Sequence, residues 1–245
     1  MGKTKFSVVI PAHNEAQYIG KCLQAIDIAA RAVAPDAVET IVVANRCTDK
    51  TREIAEELGA RVLVNDGKCI AAIRNTGVRA AAGEIIVTVD ADSRMGKEAL
   101  KEIKEKLESG KYVGGGSKFK FDRVSFGMTC SALYVGVNML PVMVKNGGFL
   151  SGAMFWCRKE DFDAIGGFDE SLISLEDMDF AARLKKLGKQ RKQKYGTLKR
   201  SPLVTSSRKF DEFGDWYLIK NRKLTKRIFT GKDRAAADQF YYDLR

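Results

Sequence analysis

Two pairs of carboxylates carry the clearest chemical signal in this chain. Asp90 and Asp92 stand one residue apart, directly after the run Ile85-Ile-Val-Thr-Val89. A short apolar run rich in β-branched residues reads as a buried parallel strand, so both acids would sit on the rim of a sheet. Hard oxygen ligands of this kind suit Mg²⁺ or Mn²⁺, which bind few protein carboxylates and complete their shells with phosphate and water. The same residues also fit a solvated turn in which Asp92 or Ser93 caps the next helix. Glu176-Asp177 is the second pair, at the start of an amphipathic helix. There the acids either answer the helix dipole or supply a general base for an acceptor hydroxyl. Arg74, in Arg74-Asn-Thr-Gly77, precedes the Asp-x-Asp strand. Its planar fork can pair with a phosphate or a base edge, and a lone helix arginine is equally a surface residue.

These side chains need a sheet to position them. Phe6–Ile10 reads as a first strand ended by Pro11, and Ile19, Cys22, Leu23, Ile26 and Ala30 follow at helical spacing. Glu39–Val43 and Ala60–Val64 read as the next strands, with a helix between them that Thr48 or Asp49 caps and Gly59 stops. A helix over Lys68–Ala82 leads into the strand Glu84–Val89, and another covers Lys97–Leu107. Repeated strand–helix–strand units predict a mainly parallel sheet with helices on both faces.

The second half is less regular. Tyr112–Phe121 reads as a strand, and Ser125–Val144 as a helix broken near Pro141. Leu150–Arg158 reads as a buried strand, followed by helices over Lys159–Ile165 and Glu176–Leu187. No Pro/Gly/Ser-rich linker divides the chain, so residues 1–245 are expected to form one domain. About 1–110 would be the regular half, about 111–210 the less regular half, and about 211–245 a basic helical tail.

Ligands of open α/β sheets bind beyond the carboxyl ends of the strands. That rule joins Asp90 and Asp92 to Pro11-Ala-His-Asn-Glu15 after the first strand and Ala44-Asn-Arg-Cys-Thr-Asp49 after the second.

The order of these pieces is specific. F-S-V-V-I-P-A-H-N-E, then R-N-T-G-V-R-A-A-A-G-E-I-I-V-T-V-D-A-D, then G-G-F-D-E-S-L-I-S-L-E-D-M-D-F-A-A-R-L resemble the family 2 glycosyltransferases of the GT-A fold. The resemblance runs from about Phe6 to Gly188. It implies a Rossmann-like α/β domain that transfers a hexose-like sugar from a nucleoside diphosphate, with inversion and a divalent metal. It implies that Asp90 contacts ribose or metal, that Asp92 holds the metal, and that Asp177 is the base with Glu176 beside it. Pro11, Ala12, Asn14 and Glu15 would line the nucleotide pocket, with Arg74 near the base or diphosphate. The family's Asp-Asp-Gly-Ser after the second strand is replaced by Ala44-Asn-Arg-Cys47, so Asn45 would stand in for the base-reading acid or the donor is not a uridine sugar. The Gln-x-x-Arg-Trp pattern of processive synthases is absent, which predicts transfer of single sugars.

Composition narrows the alternatives. Five scattered cysteines and the single His13 give no zinc pattern or disulfide framework. No apolar stretch reaches the ~20 residues of a bilayer span, so a cytoplasmic protein is expected, with contact at most peripheral. Between Arg183 and Arg234 lie 18 Lys/Arg against 4 Asp/Glu, and the rest of the chain carries 24 against 27. Such a basic face suits anionic lipid headgroups, phosphorylated substrates or nucleic acid, and a solvated surface suits it equally. Arg208, in Thr205-Ser-Ser-Arg208, reads as a diphosphate contact or as part of a basic surface loop. Trp216, Tyr217 and Ile219, near Arg222 and Arg227, read as a membrane-facing helix or one packed on the domain. The acceptor is expected to be a glycan, a lipid phosphate or a small molecule, and no nucleic acid is expected. A sugar nucleotidyltransferase would carry a glycine-rich basic loop after its first strand, which Pro11–Glu15 is not. A non-catalytic basic binding module would leave Asp90, Asp92, Glu176 and Asp177 without a role.

Overall fold

A computed structural model describes residues 4–145, 153–172 and 175–222. Its strands are β1 (Thr4–Ala12), β2 (Ala37–Ala44), β3 (Arg61–Val64), β4 (Ile85–Val89), β5 (Ser93–Arg94), β6 (Tyr112–Phe121), β7 (Met154–Arg158) and β8 (Lys194–Thr205). The helices are α1 (Ile19–Arg31), α2 (Thr51–Glu57), α3 (Ile70–Arg79), α4 (Ala99–Glu108), α5 (Phe126–Lys145), α6 (Lys159–Ala164), α7 (Glu176–Gln190), α8 (Arg208–Phe213) and α9 (Tyr217–Lys220).

One sheet runs in the order β3-β2-β1-β4-β7-β6-β8-β5. The first four strands are parallel, as strand–helix–strand units require. Beyond β4 the sheet is mixed: β7 lies antiparallel between β4 and β6, β8 runs parallel to β6, and β5 pairs antiparallel with β8. The strands alternate their side chains between two apolar layers. Phe6, Val8, Ile10, Val87 and Val89 face α1 and α4, through Ile19, Ile26, Leu100 and Ile103. Val9, Ile41, Val43 and Ile86 face α3, α6 and α7, through Ile73, Phe162, Phe180 and Leu184. The fold is therefore a single α/β domain with helices on both faces of the sheet.

Close packing places glycine where a strand or helix must approach its neighbour. A Cβ on Gly77 of α3 would lie 2.3 Å from Val9 Cγ1, and one on Gly115 of β6 would lie 2.1 Å from the Gly196 carbonyl oxygen.

Several sequence expectations need correction. Pro11 does not end β1: the strand continues to Ala12, with Pro11 paired to Val43 of β2. Pairing with β4 ends at Val9, so the missing proline N–H removes no bond on that side. Pro141 does not break α5. The helix is continuous from Phe126 to Lys145. β5 and β8 were not evident in the sequence. The start of the strand read at Leu150, residues 150–152, lies outside the described residues, as do residues 223–245 of the basic tail, Arg227 among them.

Candidate active site

The carboxyl ends of β1, β2 and β4 bring the acidic residues together. Asp90 follows β4 directly, and its amide donates to the Ala153 carbonyl (3.1 Å), which fixes the turn against β7. Asp92 is held through its carbonyl, which accepts from the Ser206 amide at 3.1 Å. Two buried arginines then join acids from distant parts of the chain.

Arg74 reaches from α3 to both carboxylate pairs. Its Nη1 donates to Glu176 Oε1 at 2.6 Å and its Nη2 to Asp90 Oδ1 at 3.0 Å. Its guanidinium also lies over the Phe168 ring, 5.3 Å from the centroid. Phe168 is stacked on Phe180 in the core at 4.2 Å, so the arginine is oriented by packing as well as by charge. Burial opposes its charge, and the attraction of Asp90 and Glu176 outweighs it, so Arg74 is held protonated.

Arg208 makes the matching junction on the other side. Its Nη1 and Nη2 donate to the two oxygens of Glu15 at 2.6 and 2.7 Å, and Nη2 lies 3.1 Å from Asp92 Oδ2. Its guanidinium lies 4.8 Å from the centroid of the Tyr18 ring. Glu15 and Arg208 are both buried, which excludes the surface-loop reading of Arg208.

Asp177 stands one residue past Glu176 in the first turn of α7. Burial, reinforced by the neighbouring Glu176 and opposed by Arg74, raises the pKa of its carboxyl to about 7. The preceding residue, Leu175, adopts the left-handed region at φ 64°. Such a conformation is costly for a bulky side chain and concentrates at functional sites.

The remaining sequence candidates are spread around this core. Asn14 is also left-handed (φ 51°), and its Oδ1 accepts from the Thr48 amide at 2.8 Å, tying the β1 and β2 loops. Pro11 and Ala12 are buried in the last turn of β1. Asn45 is turned into the fold. Its amide donates to the carbonyls of Asn65 (2.6 Å) and Gly67 (2.8 Å), while its Oδ1 is buried with no hydrogen-bond partner among the described residues. Tyr18, Phe168 and Leu175 were not singled out by sequence reasoning. The only signal for the first two was an aromatic residue near a conspicuous motif.

Two guanidiniums face four carboxylates: Arg74 and Arg208 against Glu15, Asp90, Asp92 and Glu176. The four acids therefore outnumber the two guanidiniums that bind them. Among the described residues no group of three or more His, Cys, Asp or Glu is placed to hold a metal ion. Asp90 and Asp92 offer carboxylate oxygens, the donor type that Mg²⁺ and Mn²⁺ take alongside phosphate and water.

A single mixed sheet with helices on both faces is the fold of solved glycosyltransferase structures. The chain superposes on S. aureus TarS 1–349 with a TM-score of 0.61 at 20% identity, covering 97% of this chain and 69% of that one. It superposes on the mannosyltransferase PcManGT of Pyrobaculum calidifontis, solved with GDP-Man and Mn²⁺, with a TM-score of 0.58 at 18% identity, covering 98% and 68%. Residues 7–166 match the model of glycosyl transferase family 2, and the chain belongs to that family. Glycosyltransferase AglE of Haloferax volcanii is 26% identical over 185 residues, 72% of this chain and 60% of that protein. Dolichol-phosphate mannosyltransferase of Pyrococcus furiosus is 30% identical over 122 residues, 47% of this chain and 33% of that protein. The chain thus spans about 60% or less of the length of these two relatives.

Proposed function

We propose that this glycosyltransferase moves a sugar from a nucleoside diphosphate to an acceptor hydroxyl with inversion, assisted by Mg²⁺ or Mn²⁺. The observation that carries the reading is the arginine-bridged cluster of Glu15, Asp90, Asp92 and Glu176 beside a carboxyl of raised pKa. Neighbouring structures hold UDP-GlcNAc in TarS and GDP-Man with Mn²⁺ in PcManGT, which supports a nucleotide-sugar donor.

Asp177 is the base in this reading. A carboxyl that titrates near 7 is ionised enough to accept a proton and basic enough to hold it. As the acceptor oxygen attacks the anomeric carbon, its proton passes to the Asp177 carboxylate and the bond to the diphosphate oxygen breaks. Attack on the face opposite the leaving group inverts the centre. Glu176, committed to Arg74, orients the first turn of α7. Asp92 and Asp90 would hold the metal, which supplies positive charge to the departing diphosphate. Pro11, Ala12, Asn14 and Glu15 would border the nucleoside. Asn45 would shape that border through the loop at Asn65–Gly67. Residues of about 1–110 would serve the donor, and those of about 111–210 a glycan, lipid-phosphate or small-molecule acceptor.

The test is Asp177→Asn, an isosteric change that removes the base. Donor binding is expected to survive while transfer falls by about 10²–10⁴. Near-normal turnover would show that Asp177 is not the base.

A further inference from the structure

Helix α5 carries an apolar stripe that the catalytic reading does not use. Phe126, Leu133, Val137 and Leu140 are 78%, 68%, 63% and 56% exposed. Their spacing of 7, 4 and 3 residues puts all four on one face of the helix. From Phe126 to Leu140 the stripe is about 21 Å long at 1.5 Å per residue. No charged residue occurs between Arg123 and Lys145, a composition that water does not favour on a surface helix. Monomeric proteins rarely leave a contiguous apolar patch of this length uncovered.

The chemistry around the stripe points to its occupant. Trp216, 42% exposed, meets Phe126 edge-on with ring centroids 6.2 Å apart, so it extends the stripe at one end. Indole combines an apolar body with a polar N–H and favours the boundary between lipid and water. Arg222 lies over the Tyr134 ring at 5.9 Å and adds a cation on the flank of the helix. From Lys220 to Arg234 the sequence holds seven Lys/Arg and one Asp. A two-fold contact between copies along α5 would bring the Arg222 cations of the two flanks together. A nucleic acid would be matched by the charge but not by a stripe made mostly of aliphatic side chains.

We propose that the α5 stripe, with Trp216 and the cations that follow it, docks this protein on the surface of an anionic lipid bilayer. The apolar face inserts to the level of the headgroups, and the basic segment is held by the anionic surface. Docking there also bears on the reaction site. The α5 helix begins four residues after Asp122, whose amide donates to the Thr205 carbonyl and whose carboxylate accepts from the Ser207 amide. That loop carries Arg208, so the lipid-facing helix and the Asp92 edge of the site share one anchor.

The test is co-sedimentation of the full chain with phosphatidylcholine vesicles, with and without phosphatidylglycerol, alongside Leu133→Glu/Val137→Glu and Lys220→Glu/Arg222→Glu variants. The parent protein is expected to pellet with the anionic vesicles, less as salt rises, with a blue shift of tryptophan emission. The double glutamate variant on α5 is expected to lose binding at least about tenfold. Its melting temperature should be unchanged, because both positions are exposed. Absence of pelleting at low salt would overturn the proposal, as would equal pelleting by the α5 variant. A dimer in sedimentation velocity that the α5 variant dissolves, without vesicle binding, would assign the stripe to a second copy and overturn it too. Vesicle binding is read without catalysis, so its failure leaves the transferase reading intact.

Discussion

Replacing Arg208 by glutamine removes a buried bidentate pair that links the start of the fold to the Asp92 edge. Glu15 is buried and takes both guanidinium nitrogens at 2.6 and 2.7 Å. Breaking a buried pair from one side leaves the other charge uncompensated and costs about 3–5 kcal/mol. At about 2–4 °C per kcal/mol for a domain of this size, Arg208→Gln should lower the melting temperature by about 6–20 °C. Glu15→Gln should cost a similar amount. In Glu15→Gln/Arg208→Gln the two amides can still meet, so the double variant should be more stable than the sum of the single losses predicts. The assay is a double-mutant cycle by thermal or denaturant unfolding, with an expected coupling of about 1–3 kcal/mol. Additive losses, or an Arg208→Gln shift under 1 °C, would refute the idea that this pair organises the site.

Other consequences follow from the same geometry. The raised pKa of Asp177 predicts an acid limb in kcat/KM with a midpoint near 7, rising with pH as the base ionises, and Asp177→Asn should remove that limb along with transfer. The folded state holds the Asp177 proton more tightly than the unfolded chain, so this group favours folding at low pH. That contribution is lost as pH rises from the ordinary value of 3.8 through about 7, and Asp177→Asn should flatten this part of the stability profile. Gly115→Ala would push a Cβ to 2.1 Å from a carbonyl oxygen of β8 and 2.5 Å from Trp156 Cζ2. Neither neighbour can swing aside freely, so a loss of about 1–3 kcal/mol or more is expected in chemical denaturation.

How much was legible in the sequence depended on how local the cause was. β4 and its two acids were readable because Ile85–Val89 is buried throughout and one residue type follows another without interruption. The opening helix face at Ile19, Cys22, Leu23 and Ile26 was readable for the same reason: all four are buried where a 3.6-residue period puts them. β8 was not readable, since its twelve residues alternate burial irregularly and include Lys199, Arg200 and Pro202. It is a strand because β6 and β5 flank it, with register shifts that no local pattern encodes. The acids were found one motif at a time, whereas the pairing of Glu15 with Arg208 spans 193 residues of chain. Likewise, nothing about Leu175 announces a left-handed backbone, which is imposed by the turn into α7.

The central claim is tested most directly by measuring binding of nucleoside diphosphates to the parent protein and to Asp92→Ala, with and without Mn²⁺, by thermal shift. A ligand that binds only the folded state raises the melting temperature by mass action. The account predicts a rise with one nucleoside diphosphate that requires Mn²⁺ and that Asp92→Ala abolishes. No rise with any nucleoside diphosphate, or a rise indifferent to both Mn²⁺ and Asp92, would contradict it.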